Sequence, residues 1–177
     1  ISKKTVERLE KLQTVGDLPF DAILVADGGK RLQQIAALLP FFDVDPAVVQ
    51  VLGTGQWDAL GLGNEPALVG AWYAAPDPSA RSEFQNEYAA TYGDQPPRLA
   101  TLAYDATALA AVLGQGEAGP DFTRITLTSP NGYWGRDGIF RLMPSGVTER
   151  GLAVLEVTRR ACRVLDPAPE SFQPRIN

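Results

Sequence analysis

Histidine is absent from this sequence, and cysteine and methionine occur once each. The first absence removes the commonest general base and the commonest metal ligand together. A serine or cysteine nucleophile would find no imidazole to activate it, and no Cys/His zinc set can be assembled. With Cys162 alone, no disulfide closes within the chain. A lone cysteine in the strand-like run "RACRVLD" is expected to pack as a small buried hydrophobe. Cysteine poverty fits cytoplasm and bacterial periplasm equally. A basic excess is missing too: Lys and Arg total 16 against 21 Asp and Glu, a net charge of −5, with no basic run. That balance argues against nucleic acid as a partner. No apolar stretch approaches the about 20 residues of a membrane span, and no signal peptide is present. The chain opens at Ile1 in the middle of a helix-like pattern. It reads as a fragment or processed piece, so the missing targeting segment says nothing about its parent. Neither GxxxxGK[ST] nor GxGxxG occurs, and no cofactor is indicated.

What is present is enough for one domain with a real core: 177 residues, 45% of them hydrophobic. Residues 2–13 place Val6, Leu9 and Leu12 on one stripe, which predicts a short amphipathic helix. "FDAILVA", 20–26, is a nearly continuous apolar run of strand length, as in strands buried on both faces of a parallel sheet. Asp27-Gly28-Gly29 then opens a helix to residue 39, with Leu32, Ile35, Ala36 and Leu39 at helical spacing. "VVQVLGTG", 48–55, and "ALVGAWYAA", 67–75, predict two more strands. Asp77-Pro78-Ser79 starts a helix that carries Phe84, Tyr88 and Tyr92 on one face and closes at Gly93. Residues 96–114 are apolar nearly all round, which predicts a deeply packed helix. After a possible helical turn and a Gly/Pro/Asn loop over 122–138, the last part reads as strand, turn, strand, turn, strand. This is an antiparallel hairpin or meander, joined to the sheet edge. Residues 167–177 read as a polar, Pro-rich tail. The order predicts an α/β fold: a three-layer lobe with a mostly parallel sheet and antiparallel C-terminal strands.

Two glycine turns are the candidate site. In parallel sheets, ligands sit outside the carboxyl ends of the strands. Asp27, Gly28 and Gly29 follow one strand, and Thr54 and Gly55 follow the next. Backbone N–H groups exposed at such turns suit a carboxylate or other anion, although plain βα turns look the same. Trp57 could wall the site, and Asp58 lies beside it. Asp27 and Asp58 could form a carboxylate pair, but nothing in the sequence places them together. Trp72 is expected in the core by size, with strand alternation sending Trp72 and Tyr73 to opposite faces. Tyr133 and Trp134, in a glycine-flanked segment, either plug the lobe or mark a partner surface. Asp105 sits in the apolar helix, where a carboxylate needs partners; structural hydrogen bonding is the expected role. No catalytic residue and no metal site emerge, and a non-enzymatic protein is expected.

Four stretches in this order carry a resemblance: "FDAILVADGGKRLQQIAALLPFFDVDPAVVQVLGTGQWD", "ALVGAWYAAPDPSARSEFQNEYAATYG", "PPRLATLAYDATALAAVL" and "NGYWGRDGIFRLMPSGVTERGLAVLEV". Together they resemble the C-terminal half of type I periplasmic binding proteins, the Leu/Ile/Val-binding family. The branch most similar is the penicillin-binding protein activators. The resemblance implies two α/β lobes joined by crossing strands, with residues 1–166 forming the second lobe and helix 97–113 belonging to a first lobe. It implies that the turns at Asp27–Gly29 and at Gly53–Gly55 face the cleft. Amino-acid-binding relatives carry a glutamate in the second turn; here that place is Gly55, which weakens an amino-acid transport role. The function implied is a non-enzymatic regulator of peptidoglycan synthesis at the periplasmic face of the outer membrane. Its partner would be a penicillin-binding protein, and its parent would be anchored by a lipid outside this chain. The alternative is the solute-binding subunit of an ABC transporter for an amino acid or similar small polar ligand.

Overall fold

A computed structural model describes residues 18–58, 61–116 and 119–173. The expected helix over 2–13 lies outside them. The chain forms two compact units, Ile1–Ala75 with Val154–Leu165, and Pro76–Ala153 with Asp166–Asn177. The helix at 78–92 and the strands at 133–150 group with helix 100–114 in the second unit.

The first unit is built on a sheet. Strands β1 (Ala22–Val25), β2 (Gln50–Gly53) and β3 (Trp72–Ala75) are followed in spatial order by β7 (Ala153–Val157) and β8 (Cys162–Asp166). β1 and β2 are parallel, with Ala22 opposite Gln50 and Val25 opposite Gly53; β2 and β3 are parallel too. Helix α1 (Gly29–Leu38) makes the crossover from β1 to β2, the standard connection between parallel neighbours. Its inward stripe is short: Leu32 and Ala36 are buried. Val25, Val51, Tyr73, Leu155 and Val157 are also buried, each side chain contributing about 1.5–3 kcal/mol on removal from water. The predicted strand over 67–75 is half strand only; Pro66–Leu68 is a single 3₁₀ turn, with Pro66 at its start, where a missing N–H costs nothing.

Period-2 alternation splits this sheet cleanly. Leu24, Leu52 and Trp72 are in register across three strands, on the face opposite Val25, Val51 and Tyr73. On that face Leu24 is 63% exposed and Trp72 41%. Trp72 is therefore not core; Tyr73, its neighbour, is. Cys162 is only half-buried on the outermost strand of the sheet, so the buried-hydrophobe reading does not hold for it.

The second unit holds α2 (Pro78–Tyr92), α3 (Ala100–Gly114), the one-turn helix α4 (Arg124–Leu127) and an antiparallel sheet of β4 (Tyr133–Gly135), β5 (Gly138–Leu142) and β6 (Thr148–Arg150). The predicted signals of α2 are all used. The Asp77 carboxylate accepts from the Ser79 N–H at 2.8 Å, Pro78 opens the helix, and Gly93 ends it at φ 75°. Tyr133 and Trp134 lie in a strand rather than the expected loop. The strands over 133–150 make a sheet of their own, whereas β7 and β8 join the parallel sheet.

Helix α3 overturns the deep-packing expectation. Its two buried residues are Thr101 and Asp105, both polar. Leu102, Tyr104 and Val112 are exposed, Val112 by 70%. An all-round apolar pattern states that much of a helix avoids water; it does not state that the described chain supplies the cover.

Candidate functional site

The two predicted turns meet at the carboxyl end of the parallel sheet in the first unit. A Cβ on Gly28 would lie 2.7 Å from the Gln56 carbonyl oxygen. Only glycine allows that approach, so the first turn rests directly on the second. Gly29 enters α1 at φ 56°, a left-handed conformation that side chains resist. The Asp27 carboxylate turns back to accept the Gly28 N–H at 2.9 Å, and Arg31 stands 3.8 Å from its other oxygen. Asp27 therefore satisfies the turn's first donor itself.

In the second turn Thr54 is a cap. Its hydroxyl faces the Gln56 N–H at 3.4 Å and starts the 3₁₀ turn Gly55–Trp57. Gly55 packs against the Ala74 carbonyl, with a Cβ position 3.4 Å away. Trp57 is fully buried. Its indole N–H donates to the Val25 carbonyl at 3.0 Å, and its ring centroid lies 6.1 Å from that of Tyr73. The ring also occupies the space where a Gly53 Cβ would stand. Trp57 is thus not an open wall of a site. It is the wedge that fixes the end of β1 to the turn after β2. Asp58, at the end of that turn, is half-buried.

Between the turns lies a cavity of about 50 Å³, lined in part by Gly29, Gln33, Gln56, Trp57 and Glu65. It has room for a water or two, not for a drug-sized ligand. Gln33, Gln56 and Glu65 were not anticipated. Gln33 was readable, because it sits one helical turn beyond Gly29 on the same face. Glu65 was not, since it comes from a loop with no pattern. Of the predicted residues, the structure brings together Asp27, Gly28, Gly29, Thr54, Gly55 and Trp57, with Trp57 beneath.

Tyr133 and Trp134 belong to the second unit and part company by strand alternation. Tyr133 is half-buried: its hydroxyl donates to the Thr126 carbonyl, and its ring lies 6.0 Å from Phe140. Burial, with the Asp121 charge as the smaller cause, raises its pKa. Trp134 is exposed.

Asp105 has the structural role expected of it. The Arg136 N–H donates to it at 2.6 Å, and the Arg150 guanidinium stands 3.7 Å away. Its oxygens fill the place of a Gly135 Cβ. Beside it the buried Asp137 accepts from the Thr101 hydroxyl at 2.8 Å and from Arg98 at 3.4 Å. Desolvation raises the Asp105 pKa, against the pull of the Arg136 N–H and Arg150. Among the described residues no group of three or more His, Cys, Asp or Glu could hold a metal, and no helix is long and apolar enough to cross a membrane.

No family model matches the sequence, and no curated protein matches it. Solved structures do. The leucine binding protein LivK from Thermotoga maritima is 20% identical over 81% of this chain and 43% of its own, with a TM-score of 0.54. The branched-chain amino acid transporter substrate binding protein LivJ from Streptococcus pneumoniae, solved with isoleucine, is 16% identical over 94% of this chain and 49% of its own, with a TM-score of 0.54. An ABC transporter solute binding protein from R. palustris, solved with benzoate, is 16% identical over 94% of this chain and 47% of its own, with a TM-score of 0.52. The chain spans less than half the length of these proteins. It has their mixed α/β fold, that of the type I periplasmic binding proteins, with a mostly parallel sheet and added antiparallel strands.

Proposed function

We propose that this chain is part of a two-lobed, periplasmic, substrate-binding protein of the ABC transporter type, and that it takes a small carboxylate. The observation that carries this reading is the meeting of the Asp27–Gly29 and Thr54–Trp57 turns at the carboxyl end of a parallel sheet. Ligands of open α/β sheets collect there. The proteins with this fold bind isoleucine in one case and benzoate in another; a carboxylate is common to both. With the Gly28 N–H taken by Asp27 and the Gln56 N–H facing Thr54, the N–H groups of Gly29 and Gly55 are the turn donors offered to such an anion. Gly55 offers no counter-charge to an α-ammonium, so the ligand need not be an amino acid. The exposed apolar surface of α3 is then covered by the other lobe, which closes over the turns when ligand binds. The reading is non-enzymatic: Asp27 is engaged with its own turn and Trp57 is a wedge.

Gly55 also fits a second reading, the regulator of peptidoglycan synthesis that acts through a penicillin-binding protein from the outer-membrane periplasmic face. There the fold would serve protein contact more than solute capture.

Calorimetric titration of the two-lobed parent tests both. The panel is benzoate and other simple carboxylates, branched-chain amino acids and muropeptides. A micromolar signal from carboxylates without an amino group is the expected result. Binding confined to amino acids would overturn the weight placed on Gly55. Silence across all small carboxylates, with capture of a penicillin-binding protein, would replace the first reading by the second.

A further inference from the structure

Helices α2 and α3 enclose a cavity of about 470 Å³ inside the second unit, within the size range of small-molecule pockets. Four aromatic rings wall it: Phe84, Tyr88 and Tyr92 from α2, and Tyr104 from α3. Spacing of i, i+4 puts the first three on one side of their helix. Phe84 is buried and forms the floor, while Tyr92 and Tyr104 stand exposed at the sides. Ring centroids lie 6.1 Å apart for Phe84 and Tyr88, 4.5 Å for Tyr88 and Tyr92, and 5.6 Å for Phe84 and Tyr104. Their planes meet at 44°, 43° and 73°, so the rings are walls at angles to one another and not a flat stack. Ala100, Ala103, Tyr104 and Thr107 share one side of α3 by their i, i+3, i+4, i+7 spacing. Leu102 and Val112 lie off that side, on the surface left for another lobe.

The chemistry of the wall selects the charge of its occupant. Among the described residues that line the cavity, Glu87 carries the only charge. The Thr91 and Thr107 hydroxyls donate to their own helices, to the Glu87 carbonyl at 2.9 Å and the Ala103 carbonyl at 2.8 Å. An anion would meet a carboxylate and no cation on this wall. A cation meets that carboxylate and electron-rich ring faces. The chain already seats one cation at the cavity's edge. The Arg136 guanidinium lies 5.1 Å from the Tyr104 centroid and 2.6 Å from Glu87. Glu83 stands 3.9 Å from the same guanidinium. Two carboxylates thus face one cation, and the edge keeps a negative excess. A primary ammonium carries three N–H donors that need acceptors, and this wall has few. A quaternary ammonium carries none, and its methyl groups pack on rings.

We infer that the cavity between α2 and α3 binds a small quaternary ammonium compound, with the cation on the tyrosine faces and Glu87 as its counter-charge. Choline-type alcohols fit this description. Betaine-type ligands, which add a carboxylate, are disfavoured by Glu87. This inference does not depend on the proposed solute, whose turns lie in the other unit.

The test is a choline titration of the full chain with isotope-labelled tyrosine, followed by nuclear magnetic resonance. Saturable shifts at Tyr88, Tyr92 and Tyr104 are expected, with Tyr73 and Tyr133 unmoved. The neutral isostere of choline, with a quaternary carbon in place of the nitrogen, has the same shape without the charge. It should bind about tenfold more weakly. Tyr92→Leu keeps apolar bulk and removes a ring face; Glu87→Gln removes the charge. Each should weaken choline about tenfold. The comparison of choline with its isostere needs no variant, so it stands even if a variant fails to fold. Equal binding of the two would show a plain apolar groove and overturn the inference. So would the lack of any saturable shift with choline. Choline taken by this chain but refused by the two-lobed parent would assign the cavity to the other lobe and overturn the ligand site.

Discussion

Trp57 and Gly53 are one device made of two residues. The indole fills the space of a side chain that Gly53 does not have, and its N–H satisfies the Val25 carbonyl. Gly53→Ala forces the ring out of its seat, an overpacking cost of about 1–3 kcal/mol. Trp57→Phe leaves the carbonyl unpaired, at about 1–3 kcal/mol. The two costs do not add. In a Trp57→Leu background the obstacle is gone, and Gly53→Ala should cost under about 1 kcal/mol, a coupling of the size seen between touching residues. Urea unfolding of the four chains measures it, and strict additivity would show that the ring is not what keeps residue 53 a glycine. Asp105 makes a different residue-scale claim. Its pKa is raised in the folded chain, mainly by burial. The folded state therefore holds that proton more tightly than the unfolded state does. Stability from this group is fully present below the ordinary aspartate value of 3.8. It is lost as pH rises through the raised folded value. Asp105→Asn keeps an acceptor for the Arg136 N–H and removes the charge. Relative to that variant, the parent chain should gain stability as pH falls through the acid range above 3.8. A difference that stays flat with pH, in denaturant titrations at each pH, would refute the assignment.

At the scale of elements, the sequence carries local boundaries but not which faces are covered. The helix α2 was legible because its boundaries are local chemistry: an Asp cap, a proline at the first position and a glycine in the left-handed region. The parallel strands were legible because a strand buried on both sides leaves a continuous apolar run. Burial on both faces does not follow, since Leu24 and Trp72, in the middle of their runs, share an exposed face. Alternation separates two faces but does not say which one is covered. Helix α3 shows the same limit. Its pattern demands burial, yet its contacts with the second unit's own sheet run through Thr101 and Asp105. Polar bonds fix where this helix sits, and its apolar sides are left for another surface. Residues 167–173, expected as a polar tail, were illegible because they have no period: Pro169 packs against Gly151 and Phe172 against Gly132, beside the folded β4–β6 sheet. At the candidate site the glycines were legible as turns. That Gly28 touches the second turn, and that Trp57 lies under both, needed the register of β1 on β2.

On the scale of the whole molecule, the chain changes unit at Ala75–Pro76, at Ala153–Val154 and at Leu165–Asp166. Each unit keeps its own core: Leu32, Val51, Leu68 and Leu155 in the first, Phe84, Ile139 and Phe140 in the second. Units that own their cores need not melt together. The three tryptophans report on both. Trp57 and Trp72 lie in the first unit and Trp134 in the second. With fluorinated tryptophan each gives its own resonance, so unfolding is followed in both units of one sample. Asp105→Ala leaves the Arg136 N–H without its partner, a cost of about 1–3 kcal/mol confined to the second unit. Its effect should be a lower urea midpoint for Trp134 with the Trp57 midpoint unchanged. Gly53→Ala should do the reverse. The crossed pair of shifts is the signature of two units that fold separately. Equal shifts of all three resonances in either variant would mean one cooperative body and would refute the separate folding of the two units.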